Sequence, residues 1–121
     1  MYKTFKNKRV LITGITGFKG SWLLEIFNFL GANTYGISNR YRTNPNLFSL
    51  INKNTNKIFN IDINNFNKLH HKINQIKPDF IFHLAAQSQV IESVKDPLYT
   101  LNTNIIGTAN LLESLKSIRK K

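Results

Sequence analysis

The chain has 121 residues, of which 41% are hydrophobic and 12% aromatic, enough to build the core of one domain. It has no cysteine, which excludes disulfides, thiolate metal sites and a cysteine nucleophile, and no apolar run long enough to span a bilayer. The formal net charge is +11, but Lys3, Lys6, Lys8, Arg9, Lys53, Lys57, Lys68 and Lys72 are scattered without interleaved aromatics, so a nucleic-acid partner is not expected. Asn, Ile and Lys are all over-used, as an A/T-rich coding bias would produce. A basic surface can still draw an anionic small molecule from a distance. The basic N-terminus leads only into Val10-Leu-Ile12, too short for a signal-peptide core. A soluble cytoplasmic protein with no membrane partner is the expectation.

Lys8 to Thr13 is a β-branched run ending at Gly14 and predicts a buried strand. Gly17 to Leu30 has helical spacing, with Trp22, Leu23, Ile26, Phe27 and Leu30 expected on the buried face and Gly31 as the stop. No helix is expected before Thr13. Asn33 to Ser38 predicts a second strand. Arg40 to Asn56 is polar and predicts a loop with a short helix at Leu47 to Ile51. Lys57 to Asp62 predicts a third strand, and Asn64 or Asn65 caps a helix carrying Phe66, Leu69, Ile73 and Ile76 that ends at Pro78. Asp79 to Leu84 predicts a fourth strand. Asp96-Pro97 is a helix start, and the last helix carries Leu98, Leu101, Ile105, Thr108, Leu112, Leu115 and Ile118.

This alternation is that of an α/β fold, a parallel sheet with helices on its faces. The expected strand order is 3-2-1-4, the N-terminal half of a doubly wound (Rossmann) sheet. With nothing after the fourth helical segment, the fourth strand is an uncovered edge. Residues 1–121 are therefore expected to be a partial, truncated dinucleotide-binding domain.

The sharpest motif is Thr13-Gly14-Ile15-Thr16-Gly17-Phe18-Lys19-Gly20, with glycine at every third position between a strand and a helix. Gly14 permits the tight turn, Gly17 lets the backbone approach a pyrophosphate, and Gly20 lets the helix sit close to the sheet. The helix N-terminus offers unpaired N–H groups to phosphates. At the end of the second strand, where an acid often holds a ribose hydroxyl, the chain reads Ser38-Asn39-Arg40. Asn39 can accept from a hydroxyl, whereas Arg40 or Arg42 can pair with a 2′-phosphate, or both arginines can simply be solvated loop charges. Asp62 can accept from an adenine amino group or cap the following helix. His83 is expected to be structural, followed by Leu84, Ala85, Ala86 and Gln87, whose small alanines let the backbone run beside a flat cofactor. His70 and His71 are adjacent on a polar face and no metal site is expected. Asn104 can tie a neighbouring loop in place, and Gly107 allows close packing, though both also suit an ordinary helix.

In order along the chain, Thr13-Gly14-x-x-Gly17-x-x-Gly20, Asp62-Ile63, His83-Leu-Ala-Ala-Gln87 and Asn104-x-x-Gly107-Thr108 resemble the extended short-chain dehydrogenase/reductase superfamily. Within it they look most like the nucleotide-sugar 4,6-dehydratases. Gly17-Phe-Lys-Gly-Ser-Trp22 and Pro45-Asn-Leu-Phe48 are similar to the CDP-glucose branch, whereas Gln87-Ser-Gln-Val-Ile91 is closer to the GDP-mannose branch. The resemblance implies NAD as cofactor, with NADP the alternative favoured by Arg40. It implies CDP-glucose as substrate, with GDP-mannose, or an epimerase reaction, as alternatives. It implies a cofactor site of Gly14, Thr16, Gly17, Phe18, Lys19, Gly20, Asn39, Arg40, Asp62, Ile63, Leu84, Ala85, Ala86 and Gln87. It also implies a homodimer of the whole protein through the last helix. The superfamily's Tyr-x-x-x-Lys pair and its acid pair are expected beyond Lys121, not within the chain. A non-catalytic nucleotide-binding module is the alternative from another class.

Overall fold

The computed structural model describes residues 2–39, 45–51 and 57–118. Four parallel strands form one sheet in the order β3-β2-β1-β4. They are β1 (Arg9–Thr13), β2 (Asn33–Ser38), β3 (Ile58–Asn60) and β4 (Phe80–His83). Thr13 pairs with Ile37 on one side and His83 on the other. Every strand therefore ends at the same edge of the sheet. In the central strand Val10, Leu11 and Ile12 are all apolar because both faces are covered. Leu11 packs with Ile37, Ile61, Ile63, Leu69, Ile73, Ile76 and Leu111 on one side. Val10 and Ile12 pack with Ile15, Leu24, Phe27 and Phe48 on the other.

The first difference from expectation lies before β1. A single helical turn, α1 (Tyr2–Phe5), precedes it. Phe5 anchors this turn, with its ring 4.9 Å from that of Phe27 and 5.0 Å from that of Phe80, both edge-on. Such pairs contribute about 0.5–1.5 kcal/mol beyond the area they bury. Polar residues around Phe5 give no periodicity for a turn that the aromatic contacts of this one residue hold in place.

Helix α2 (Phe18–Phe29) follows the glycine turn, but its buried face is Gly20, Ser21, Leu24 and Phe27. Trp22 and Ile26, expected inside, are about half exposed. The short helix α3 (Leu47–Ile51) forms as predicted and buries Phe48. The remainder of the expected loop over 40–56, Arg40 included, lies outside the described residues. Helix α4 (Phe66–Ile76) buries Leu69, Ile73 and Ile76. Of the two candidate caps, Asn65 is the one used, its side chain accepting from the Lys68 N–H at 3.1 Å.

The expected single last helix is in fact jointed. Helix α5 (Val90–Lys95), which periodicity did not reveal, comes first. Helix α6 (Pro97–Leu101) then starts as predicted, with Asp96 accepting from the Tyr99 N–H. A π-helical turn at Asn102–Ile106 leads into α7 (Gly107–Leu115) and a closing 3₁₀ turn at Lys116–Ile118. The side facing the sheet and α4 is Thr103, Gly107, Leu111 and Ser114, whereas Leu101, Ile105 and Leu112 are more than half exposed. No helix among the described residues is long and apolar enough to cross a membrane.

Candidate functional site

The four strand ends and the start of α2 enclose a cavity of about 460 Å³. Gly14 turns out of β1 at φ +70°, a conformation that disfavours L side chains. A Cβ there would sit 2.7 Å from the Ala85 nitrogen, so the glycine lets the turn lie directly on the loop after β4. Gly20 likewise packs against the backbone of the turn, where a Cβ would lie 2.7 Å from Ile15 Cα. Gly17 is the residue before α2, with no side-chain cap on the helix. The N–H groups of the first turn are therefore available toward the cavity.

The rest of the wall comes from the other strands. Thr16 and Ser38 join their hydroxyls at 2.6 Å, bracing the glycine turn against the end of β2. Asn39 donates to one oxygen of Asp62 at 3.1 Å, and the other Asp62 oxygen accepts from the Asn64 N–H at 2.9 Å. Asp62 thus orders the turn before α4, while Asn65 does the capping. Leu84, Ala85 and Ala86 form the opposite wall.

Of the residues expected at a cofactor, Gly14, Thr16, Gly17, Phe18, Lys19, Gly20, Asn39, Asp62, Ile63, Leu84, Ala85 and Ala86 all line this cavity. Gln87 does not. Its side chain folds back on Gln89, accepting from the Gln89 N–H and donating to the Gln89 carbonyl. Ile37, Ser38, Ile61, Ser88, Tyr99 and Thr103 also line the cavity and were not singled out. The first three are strand ends whose position follows once the register is known. Tyr99 and Thr103 arrive through the jointed helix, which no local pattern announces. The Thr103 hydroxyl is buried and has no hydrogen-bond partner.

His83 lies behind the wall, not in it. Its Nδ1 is 2.6 Å from the Thr13 hydroxyl and its Nε2 is 3.0 Å from the Thr108 hydroxyl. Burial holds its pKa below the ordinary imidazole value. Asn104 accepts from the Gln87 N–H at 2.7 Å and donates to the Gln87 carbonyl at 2.9 Å, tying that loop to the helix as its position suggested.

One expectation fails on the sequence itself. A Tyr-x-x-x-Lys spacing does occur, at Tyr2 and Lys6. It lies in and just after α1, ahead of β1 and thus at the sheet edge opposite the cavity. Among the described residues no group of three or more His, Asp or Glu could hold a metal ion.

The family model for GDP-mannose 4,6 dehydratase matches residues 11–121. The chain is 41% identical over 115 residues to the CDP-glucose 4,6-dehydratase of Salmonella typhimurium, covering 94% of this chain and 32% of that one. It is 34% identical over 125 residues to a GDP-mannose 4,6-dehydratase of Yersinia enterocolitica, covering 90% of this chain and 31% of that one. A solved UDP-glucose 4-epimerase of Thermus thermophilus, in complex with NAD, superposes with a TM-score of 0.80 at 28% identity, over 91% of this chain and 34% of the other. The chain spans about a third of the length of these relatives. With its four-stranded sheet, its glycine turn and a family match over nearly all its length, the chain belongs to the GDP-mannose 4,6-dehydratase family, within the extended short-chain dehydrogenase/reductase superfamily.

Proposed function

We propose that the chain forms the cofactor-binding part of a nucleotide-sugar 4,6-dehydratase that uses NAD, with CDP-glucose as the favoured sugar nucleotide. The observation that carries this is the uncapped start of α2, set beside Gly14 and Gly17 at the mouth of the cavity. A helix N-terminus with free N–H groups favours an anion, and the glycines leave room for a pyrophosphate against the backbone. The partnerless Thr103 hydroxyl on the same cavity is a further polar group suited to a ligand. In this reading the backbone of Gly17, Phe18 and Lys19 holds the pyrophosphate. Asn39, with Arg40 beside it in sequence, faces the adenosine ribose. Asp62 and Ile63 flank the adenine, and Leu84, Ala85 and Ala86 run along the cofactor toward its nicotinamide end.

Bound NAD supplies a hydride acceptor that returns the hydride within one turnover, so that dehydration is redox-neutral overall. The residues of this chain bind and orient it, and proton transfer at the sugar is assigned to none of them. CDP-glucose is favoured by Gly17-Phe-Lys-Gly-Ser-Trp22 and by the likeness to the Salmonella enzyme. GDP-mannose is the second reading, favoured by Gln87-Ser-Gln-Val-Ile91 and by Arg40. Calorimetric titration with NAD and NADP, on the chain and on its Gly17→Val variant, tests the proposal. Binding that the valine abolishes supports it. Absence of binding, or binding the valine leaves unchanged, overturns it.

A further inference from the structure

We propose that His83 is a positioning residue: as a neutral imidazole donating from Nε2, it locks the loop of residues 84–89, whose Leu84, Ala85, Ala86 and Ser88 line the cavity, to the glycine turn, and so sets nucleotide affinity without touching the nucleotide. The effect on affinity rests on the cofactor reading above; the lock itself does not.

The hydrogen-bond directions follow from donor and acceptor counts. The Thr108 hydroxyl donates to the Asn104 carbonyl at 2.8 Å, so its single proton is used. Toward His83 it can only accept, which requires the proton on Nε2. Nδ1 is then an acceptor, and the Thr13 hydroxyl donates to it. Thr13 is fully buried and its oxygen in turn accepts from the Ala85 N–H at 3.3 Å. At the other end, Asn104 grips both backbone groups of Gln87. One chain of polar contacts therefore runs from the last residue of β1 through His83 and the π-helical turn to the cavity wall. Every member has one consistent role, and His83, Thr13, Thr108 and Asn104 are all absent from the cavity lining. The π-helical turn contributes by setting Asn104 against the loop while Thr108 faces the ring; wide turns of this kind often occur where a site needs such a shift.

A proton added at Nδ1 removes the acceptor that Thr13 requires. The groups facing the ring are the two threonine hydroxyls, from β1 and from α7. The charged residues of those elements are engaged elsewhere, Arg9 with Asp79 and Glu113 with Lys116. Burial is the sole cause of the lowered imidazole pKa, with no charged neighbour contributing.

The test has a ligand-free arm and a ligand arm. In ligand-free protein, ¹⁵N NMR of the ring should show the Nε2-protonated tautomer. The hydrogen-exchange protection of the Gln87 amide should fall as His83 gains a proton. Thr108→Val should lower that protection about tenfold, the factor that about 1.4 kcal/mol, within the range of one hydrogen bond, represents. His83→Gln, whose amide keeps an acceptor and a donor but takes no proton, should retain protection and flatten its pH profile. The difference between wild type and His83→Gln isolates the contribution of His83. NAD affinity should move in parallel in all three proteins. An Nδ1-protonated ring, or Gln87 protection unchanged in Thr108→Val, overturns the proposal. If protection behaves as expected but NAD does not bind to any of the proteins, the lock stands and the cofactor reading with its affinity effect falls.

Discussion

Three glycines separate backbone strain, steric overlap and ligand space, and replacing each by alanine should give three different outcomes. Gly31 has φ +72°, and a Cβ there would meet only the Lys6 side chain at 3.6 Å. Gly31→Ala should therefore cost only the left-handed backbone penalty, about 1–2 kcal/mol. Gly14 has nearly the same φ, +70°, but its Cβ would lie 2.7 Å from the Leu84 carbonyl carbon and the Ala85 nitrogen. These are backbone atoms of the loop after β4 and cannot rotate away. Gly14→Ala should add an overpacking cost of about 1–3 kcal/mol to the same penalty. Against a total stability of about 5–15 kcal/mol, that sum is severe. Gly17 has φ −74° and a Cβ there would meet only the Gly14 carbonyl at 3.2 Å. Gly17→Ala should leave stability within about 1 kcal/mol while placing a methyl where the proposed pyrophosphate lies. Urea unfolding followed by far-UV circular dichroism gives the three stabilities, and NAD titration the affinities. If Gly14→Ala is no less stable than Gly31→Ala, the close approach of the turn to the β4 loop is not what selects glycine there. If Gly17→Ala unfolds as readily as Gly14→Ala, its role is structural.

The 121-residue chain alone should yield no 4-keto product from CDP-glucose or GDP-mannose, because no proton-transfer pair is assigned to its cavity; product formation by the purified chain would refute this. Arg40→Ala should leave NAD affinity nearly unchanged in a protein that prefers NAD, whereas a strong loss of NADP affinity in one that prefers NADP would reverse the cofactor assignment. Because the folded-state pKa of His83 is lowered, the unfolded chain takes up this proton first. The His83 contribution to stability should thus be full above about pH 6.5 and be lost as pH drops toward the folded-state value; a wild type that loses stability relative to His83→Gln as pH rises would contradict the assignment. Val90, Ile91, Val94 and Leu98, each about 70% exposed or more, together with Leu101, Ile105 and Leu112, leave apolar surface uncovered. Light scattering should show self-association that increases with concentration, and a concentration-independent monomer would refute it.

The cavity was legible where one residue type does one physical task. Glycines at fixed intervals after a β-branched run place a turn, a close approach and a helix start without further context. Likewise Asp96-Pro97 marks a helix start and Asn65 a cap because both are local hydrogen-bond devices. Gln87 shows the limit of such reading. Its neighbours Ala85 and Ala86 line the cavity, but its own orientation is decided by Asn104, seventeen positions along the chain, and by a fold-back onto Gln89. Tyr99 and Thr103 reach the cavity only because the last helix is jointed, and spacing alone predicts a continuous one.

The two helices misread by face share one physical reason. Apolar periodicity assigns the largest stripe to the core, which in α2 selects Trp22 and Ile26 and in the last helix selects Leu101, Ile105 and Leu112. In both, the sheet instead receives the small residues. Gly20 and Ser21 lie against the glycine turn, and the Ser21 hydroxyl donates to the Gly17 carbonyl at 2.8 Å. Gly107 lies against Ile63, where a Cβ would come within 2.5 Å of the side chain, and Ser114 donates to the Asn110 carbonyl at 2.8 Å. A helix that must pass close to a phosphate-binding turn, or to the β3 end beside the cavity, needs a thin face, and glycine with serine supplies it. Leu24 and Leu111 then complete the contact three to four residues further on, with Phe27 a turn beyond Leu24. The bulky stripes stay about half exposed and outside both core clusters of the described residues, so hydrophobicity there reports on surfaces the sheet does not use. For helices flanking a glycine turn, the positions of the small residues predict the docking face better than those of the large ones.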